Sequence, residues 1–558
     1  MSSSGGGVGG SHPVVRFQQI PIAQGPLSGL NRMRPALLKN VVDLSYLELA
    51  SSNLDTTLGE ALFQERMRLK RMTPSVFTKA RHVRDQRLWG RVQSGLVQPS
   101  ALADRKPLLR EVLEHYAEEI GGHFDERLYW LATRAVPWGF RWLLNAATAE
   151  RFLPWGMSAS LESRVHILGE VPHLQKLAQR GTILLVPTHQ SNIDSVLVGY
   201  IIYLMGLPPF AYGAGLNLFS NPLLNFFMGG LGAYTVDRQK GNSIYKQVLK
   251  NYSTHILGDG IHSIFFPGGG RARSGAIETK LKLGLLGTGI DAMTENLKMG
   301  KANPNVYVVP MTTSYDFVLE AGSLIEDHLA ESGKHRYIMM HDESWQSRKV
   351  LNFFWRMFSA ESGVTVRIGR PLDVFGNFVD EEGRSIGPNG TTIQTDKWLM
   401  NRGVLAHDAQ RNREYTSELG TQIVKRFHCE NTILPSHFLA FTFFEVLRRN
   451  YADFDLFRFL RITKPQRTLP MEAFLLEAER MAEKVRAAAD QGKFFLSEEM
   501  KLLDTKSWVE RGAKTLGVFH SSAVVKIAEG AISSDDMQLL YYYRNRMANY
   551  GLSTGGRL

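Results

Sequence analysis

From about residue 160 to residue 375 the apolar positions gather into short β-prone runs separated by longer stretches with helical spacing. Thr182–Val186, Ala233–Val236, Ser263–Phe266, Val306–Met311 and Val364–Ile368 predict strands, and Val196–Met205, Ser243–Leu257 and Gly284–Asn296 predict the intervening helices. This alternation predicts an α/β fold, a mostly parallel sheet flanked by helices, in which ligand chemistry collects at strand ends. The pattern divides the chain into four parts: a flexible, Pro- and Gly-containing leader over 1–40, a helical N-terminal region over 41–155, the α/β domain over 156–410 (loop-like from 375), and a helical C-terminal region over 411–558. No internal repeat is visible.

The segment from Ser195 to Val236 holds no charged side chain, although 21% of the chain is charged. A transmembrane span needs roughly 20 continuous apolar residues, and this run is broken at Pro208-Pro209, Gly213, Gly215, Asn217 and Pro222. It predicts a buried helix, a loop and a second apolar helix, Leu223–Met228, with burial in the core favoured over monotopic contact with a bilayer. Leu128–Leu153 mixes Trp130, Arg134, Trp138, Phe140, Arg141 and Trp142, a composition that suits either an interfacial amphipathic helix or packing against the next domain.

Composition narrows the picture further. With 44% hydrophobic residues the chain reads as folded throughout most of its 558 residues. A single cysteine, Cys429, excludes an internal disulfide and a cysteine-built metal site, and points to a reducing compartment. The Ser/Gly-rich start does not read as a secretory signal. Net charge is +11, and between Glu65 and Arg91 nine basic residues face two acids. That stretch suits anionic lipid, an acidic carrier protein or simply a solvated helix face; nucleic acid is the weakest partner, since no recognition motif accompanies it.

Candidate chemistry lies at four predicted strand ends. After the first comes Thr188-His189-Gln190-Ser191-Asn192-Ile193-Asp194, where the carboxylate can fold back on the imidazole, fix its tautomer and leave the other ring nitrogen to accept a proton. Arg238 ends the second segment. The third, Phe265 to Gly275, runs through Gly268, Gly269 and Gly270 to Arg271 and Arg273, and the fourth is Val308 to Thr312. Guanidinium forks bind phosphate oxygens two at a time, and consecutive glycines let backbone N–H groups approach the same anion. Brought together, these groups would activate a hydroxyl on a small phosphorylated molecule.

The wording and order of these segments, with "GLPPFAYGAGLNL", "GAYTVDRQKGNSIY" and "GGGRARSG…KLGLL" over about 180–320, resemble the glycerolipid acyltransferases, in particular their glycerol-3-phosphate and dihydroxyacetone-phosphate branch; the likeness continues weakly to "LLYYYRNR". The resemblance implies a catalytic domain docked on the cytoplasmic face of a membrane, with acyl-CoA or acyl carrier protein as co-substrate and no metal or other cofactor. It implies His189 as general base, Asp194 as its orienting partner, and Arg238, Arg271, Arg273, Gly269, Gly270 and Lys282 as acceptor-binding residues, with Pro310 shaping the acyl pocket. The implied reaction is acylation of the sn-1 hydroxyl of glycerol 3-phosphate. Dihydroxyacetone phosphate or another lysophospholipid is the alternative acceptor, and a catalytically silent lipid-binding scaffold is the alternative of another class. Two positions depart from the family's pattern. Gln190 stands where Arg is common, and Gly268 stands where a Glu is common, leaving Glu278 or Asp316 as substitute carboxylates.

Other patterns carry less. Gly551-Leu552-Ser553-Thr554-Gly555 has the nucleophile-elbow formula but no strand before it. The triple glycine lacks the lysine and spacing of a phosphate-binding loop or dinucleotide fingerprint. His428-Cys429 has no partner pair. Ser191 as an acyl-enzyme nucleophile needs more parts than direct attack by the acceptor hydroxyl.

Overall fold

The computed structural model describes residues 21, 25–72, 79–97, 104–134, 165–215, 229–332, 363–518 and 522–552. A seven-stranded sheet organises them: β1 (Val165–Gly169), β2 (Thr182–Pro187), β3 (Ala211–Gly215), β4 (Ala233–Val236), β5 (Ser263–Ile264), β6 (Val306–Tyr315) and β7 (Val364–Ile368), in spatial order β1-β7-β6-β2-β5-β3-β4. The block β6-β2-β5-β3-β4 is parallel throughout, with Leu184 opposite both Val308 and Ser263. β7 pairs antiparallel with β6 and parallel with β1, so β7 and the edge strand β1 run the other way. All six residues of β2 and all ten of β6 are buried. A strand covered on both faces has no polar face to show, which is why Ile183–Val186 and Val306–Met311 read as apolar runs without alternation.

Five expected strands and three expected helices are present, with shifted ends. The helix after β2 spans Asp194–Leu204 and the one after β4 spans Ser243–Gly258, capped by Asn242, whose side chain accepts from the Tyr245 N–H at 2.8 Å. The third expected helix is split at Gly287 into Leu283–Leu286 and Thr288–Lys298. The uncharged run is core as far as it is described: Val198, Ile201, Ile202, Met205, Leu207 and Phe210 are buried, and β3 lies within it. The expected helix Leu223–Met228 and the stretch from 135 to 153 lie outside the described residues. No helix among the described residues is long and apolar enough to cross a membrane.

The N-terminal helices are α1 (Leu30–Leu49), α2 (Leu54–Arg71), α3 (Lys79–Val97) and α4 (Lys106–Ile120). α1 begins well inside the expected leader, which is corrected there: Leu27, Leu30, Leu37 and Leu38 are buried, and that apolar face outweighs the helix-weakening Pro35. These helices share one hydrophobic core with Ala211, Tyr234 and the helix Ser243–Gly258, so they cap the β3–β4 edge of the sheet. A second, larger core runs without a break from the sheet into the C-terminal helices Ala409–Cys429, Pro435–Arg449, Met471–Asp490, Thr505–Val518 and Met537–Arg544. The C-terminal region, expected to be helical, also holds short sheets, Thr432–Ile433 with Phe495–Leu496, and Thr468–Pro470 with Lys526–Ala528 and Ala531–Ser533.

Candidate active site

Because β2 and β5 are neighbours, the loops that follow them emerge side by side at the C-terminal edge of the parallel block. The loop after β2 carries His189. Its Nδ1 lies 2.9 Å from Asp194 Oδ2, and Asp194, the first residue of its helix, is fully buried. The same carboxylate oxygen accepts from the backbone N–H groups of Gln190 (2.7 Å) and Ser191 (2.9 Å), and the other oxygen accepts from the Tyr315 hydroxyl. A helix N-terminus further favours a negative charge at that position. Burial, then the adjoining Asp194 charge, raises the Tyr315 hydroxyl well above its ordinary pKa, so it stays a donor. An ionised carboxylate only accepts, so Nδ1 carries the proton and Nε2 presents a lone pair. Phe266 stacks on the imidazole at 4.3 Å between centroids and holds the ring plane.

The glycine loop after β5 is laced to this base through its backbone. Ala272 N–H donates to the His189 carbonyl at 2.7 Å, and the His189 N–H donates to Glu278 Oε1 at 2.8 Å. The other Glu278 oxygen, Oε2, is buried with no hydrogen-bond partner among the described residues, and burial raises the carboxyl's pKa against the opposing pull of the His189 N–H. Glu278 also stands against Gly268: a Cβ built on that glycine would lie 3.0 Å from Glu278 Cγ. The sequence offered Glu278 and Asp316 as substitutes for the carboxylate missing at 268. The structure brings Glu278 to His189, whereas Asp316 is engaged with the Gly363 N–H (3.2 Å) and the Ser436 hydroxyl (3.5 Å).

The cations gather unevenly. Arg271 Nη1 lies 3.8 Å from Glu320 Oε1, and Glu320 also accepts from the Ser191 hydroxyl (2.9 Å) and the Asn192 N–H (3.0 Å), so one buried carboxylate ties Arg271 to the His189 loop. Arg238 lies beside the glycine loop, its Nη1 3.8 Å from where a Cβ on Gly270 would stand. Partial desolvation and then the like charge of Arg271 press the Arg238 pKa down, so the two guanidiniums repel each other. An anion between them would relieve that repulsion. Gly269 has φ +74° and gives passage to the Lys282 stem, whose Cγ is 2.7 Å from a Cβ built there; the Lys282 head is exposed. Arg273 is drawn outward into an ion pair with the exposed Glu331.

Sequence reasoning gave no role to Tyr315 and Glu320, which have no local motif, nor to Arg546, although it closes the LLYYYRNR segment. Arg546, fully enclosed, donates from Nη2 to the Thr313 carbonyl at 2.6 Å and from Nε to Asn431 Oδ1 at 2.8 Å. With its amide oxygen turned toward that guanidinium, Gln190 accepts from Nη2 at 3.1 Å. A buried arginine from the C-terminal region thus backs the position where an arginine was expected in the loop. Its segment packs closely enough that a Cβ on Gly275, at φ +79°, would sit 2.3 Å from the Tyr542 carbonyl oxygen.

Residues 169–314 match the protein family described as Acyltransferase. Proteins named glycerol-3-phosphate acyltransferase from Shewanella sp. (strain W3-18-1) and Shewanella putrefaciens (strain CN-32 / ATCC BAA-453) are each 30% identical over 250 residues, 44% of this chain and 27% of theirs. The chain therefore matches little more than a quarter of the length of those relatives. A solved structure, the 1-acyl-sn-glycerophosphate (LPA) acyltransferase PlsC from Thermotoga maritima, is 14% identical, with a TM-score of 0.24 over 53% of this chain and 91% of that one.

Proposed function

With residues 169–314 forming a domain of the acyltransferase family, we propose that the chain moves a fatty acyl group from acyl-CoA or acyl carrier protein to the sn-1 hydroxyl of glycerol 3-phosphate. The observation that carries this is the His189–Asp194 pair: a base with one nitrogen locked by a buried carboxylate and the other open, on a loop that Glu320 ties to Arg271. His189 Nε2 takes the hydroxyl proton as the oxygen attacks the thioester carbonyl. The C–S bond breaks, and the imidazolium returns the proton to the departing thiolate. Such a base contributes about 10²–10⁴-fold in rate. Arg238 and Arg271 hold the acceptor's phosphate, Gly269 and Gly270 let it approach the backbone, and Lys282 adds positive charge, whereas Arg273, paired with Glu331, takes no part. Holding the phosphate fixes the hydroxyl against the base, an orientation effect. The acyl thioester is a co-substrate, and the steps as written draw on no cofactor. The names of the relatives favour glycerol 3-phosphate over dihydroxyacetone phosphate as acceptor. An acyl chain as cargo and the basic N-terminal helices favour work at the cytoplasmic face of a membrane.

The test is acyl transfer by the purified protein, with CoA and carrier-protein thioesters offered against glycerol 3-phosphate, dihydroxyacetone phosphate and lysophosphatidate. Turnover is expected to be fastest with glycerol 3-phosphate and lost in His189→Ala, with thermal unfolding unchanged. Near wild-type turnover by His189→Ala would overturn the mechanism, and a wild-type protein inert toward every pair would leave the silent scaffold standing.

A further inference from the structure

Arg238 does not sit on the sheet itself but on the turn from Asp237 to Asn242 that joins β4 to its helix. Two side chains bolt this turn to the N-terminal helices. The Lys240 side chain is wholly buried, its Nζ 2.5 Å from Glu119 Oε2 and 3.4 Å from Asp85 Oδ2, and 4.9 Å from the centre of the Tyr116 ring. Asn242, while capping the helix through Oδ1, donates from Nδ2 to Glu65 Oε1 and to the Tyr116 hydroxyl, both at 3.0 Å.

The pocket that receives Lys240 is charge-balanced only with Lys240 in it. Its acids are Glu65, Asp85 and Glu119, and its fixed cations are Arg68, Arg81 and Lys240. Arg68 bridges Glu65 (2.7 Å) and Asp85 (2.5 Å), and Arg81 lies 3.3 Å from Glu119. His115 Nε2 adds a contact to Asp85 at 2.8 Å. Asp85, His115 and Glu119 lie at a spacing that could ligate a metal, but Lys240 and Arg68 already hold two of these carboxylates, so the trio works as an ion-pair lattice. Apolar residues of similar volume often replace a buried ion pair with no loss of stability. What they cannot supply is direction, and Lys240 lies two residues from Arg238.

We propose that Lys240 is a positioning residue for acceptor binding: locked into the acidic pocket of the N-terminal helices, it sets where Arg238 stands and hence how tightly the acceptor's phosphate is held. This rests on the reading of Arg238 as a phosphate ligand. The N-terminal helical region is, on this view, part of the acceptor site although none of its residues touches the acceptor.

The experiment compares steady-state kinetics of the full chain, Lys240→Met, Lys240→Arg and Arg238→Ala, varying glycerol 3-phosphate at saturating acyl thioester and then the reverse. Lys240→Met is expected to raise the acceptor KM about tenfold with kcat and the donor KM nearly unchanged, in the same direction as Arg238→Ala, and Lys240→Arg is expected to restore part of the loss. Equal damage to donor and acceptor parameters, or an unchanged acceptor KM in a folded Lys240→Met, would overturn the proposal. Should Lys240→Met fail to fold, Asn242→Ala, which loosens the same turn and keeps the charges, decides by the same KM. A wild-type protein without turnover sinks the proposed function, and an unmoved acceptor KM in Arg238→Ala sinks the role of Arg238. Wild-type turnover with Arg238 confirmed and Lys240 indifferent sinks the positioning role alone.

Discussion

Glu278 holds His189 by its backbone, not by its ring, so its removal separates the placement of the base from its chemistry. In Glu278→Ala the partly buried His189 N–H loses its acceptor, which costs about 1 kcal/mol. We expect kcat to fall although the Nδ1–Asp194 bond that fixes the tautomer is untouched. Steady-state assays check this, and an unchanged kcat would count against the role of Glu278. The same residue shows the reach of sequence reasoning at this scale. His189, Asp194 and the loop arginines announce themselves through local spacing. Glu278 could be offered only as one of two candidates, because its role depends on the loop folding it against Gly268. Tyr315 and Glu320 could not be offered, because they reach the His189 loop from the far end of β6 and beyond.

Among the elements, β2 combines the clearest sequence signal with the most exacting surroundings. It lies between β5 and β6, and its Ile183 N–H donates to Nδ1 of the buried His262 at 3.0 Å. Burial depresses the His262 pKa from 6.5 to about 4, because a charged imidazole there would lose both its solvation and its acceptor nitrogen. A depressed folded-state pKa means the unfolded chain takes up the proton first. The stability His262 contributes is therefore whole above about pH 6.5 and drains away as pH falls toward about 4. Denaturant titrations between these values should show a shallower pH dependence in His262→Gln, which keeps an acceptor but cannot titrate; identical slopes would refute the assignment. The elements that the pattern failed to predict have physical reasons too. β1 is an edge strand with two exposed positions, and β3, Ala-Tyr-Gly-Ala-Gly, has too little side chain to give a hydrophobic signal. The one-piece helix expected over Gly284–Asn296 breaks at Gly287, a feature that spacing alone does not mark.

For the whole molecule, a mostly parallel sheet with flanking helices was foreseeable from the βα alternation, but the strand order and the role of the flanking regions were not. Each flank shares a core with one part of the seven-stranded sheet, and each sends in a charged hook, the acidic pocket around Lys240 on one side and Arg546 on the other. The basic stretch of α2 and α3 divides accordingly. Arg68 and Arg81 turn inward to carboxylates, whereas Arg66, Lys70, Arg71, Lys79, Arg84, Arg87 and Arg91 remain exposed. If these seven guide the chain to a membrane, cosedimentation with anionic phospholipid vesicles should be strong at about 0.1 M salt and largely lost near 1 M, where the screening length shrinks from ~10 Å to ~3 Å. Neutral vesicles should bind weakly throughout, and salt-independent binding would point to apolar insertion instead.

Arg546 has a consequence for how the protein comes into being. It grips the carbonyl of Thr313, a residue made 233 positions earlier, on the strand whose end steadies Asp194. A ribosome that has finished the sheet has therefore released His189 and both guanidinium loops without the brace behind them. If the chain is the enzyme proposed, a nascent chain stalled before the tyrosine-rich helix Met537–Arg544 should hold the sheet and show little activity.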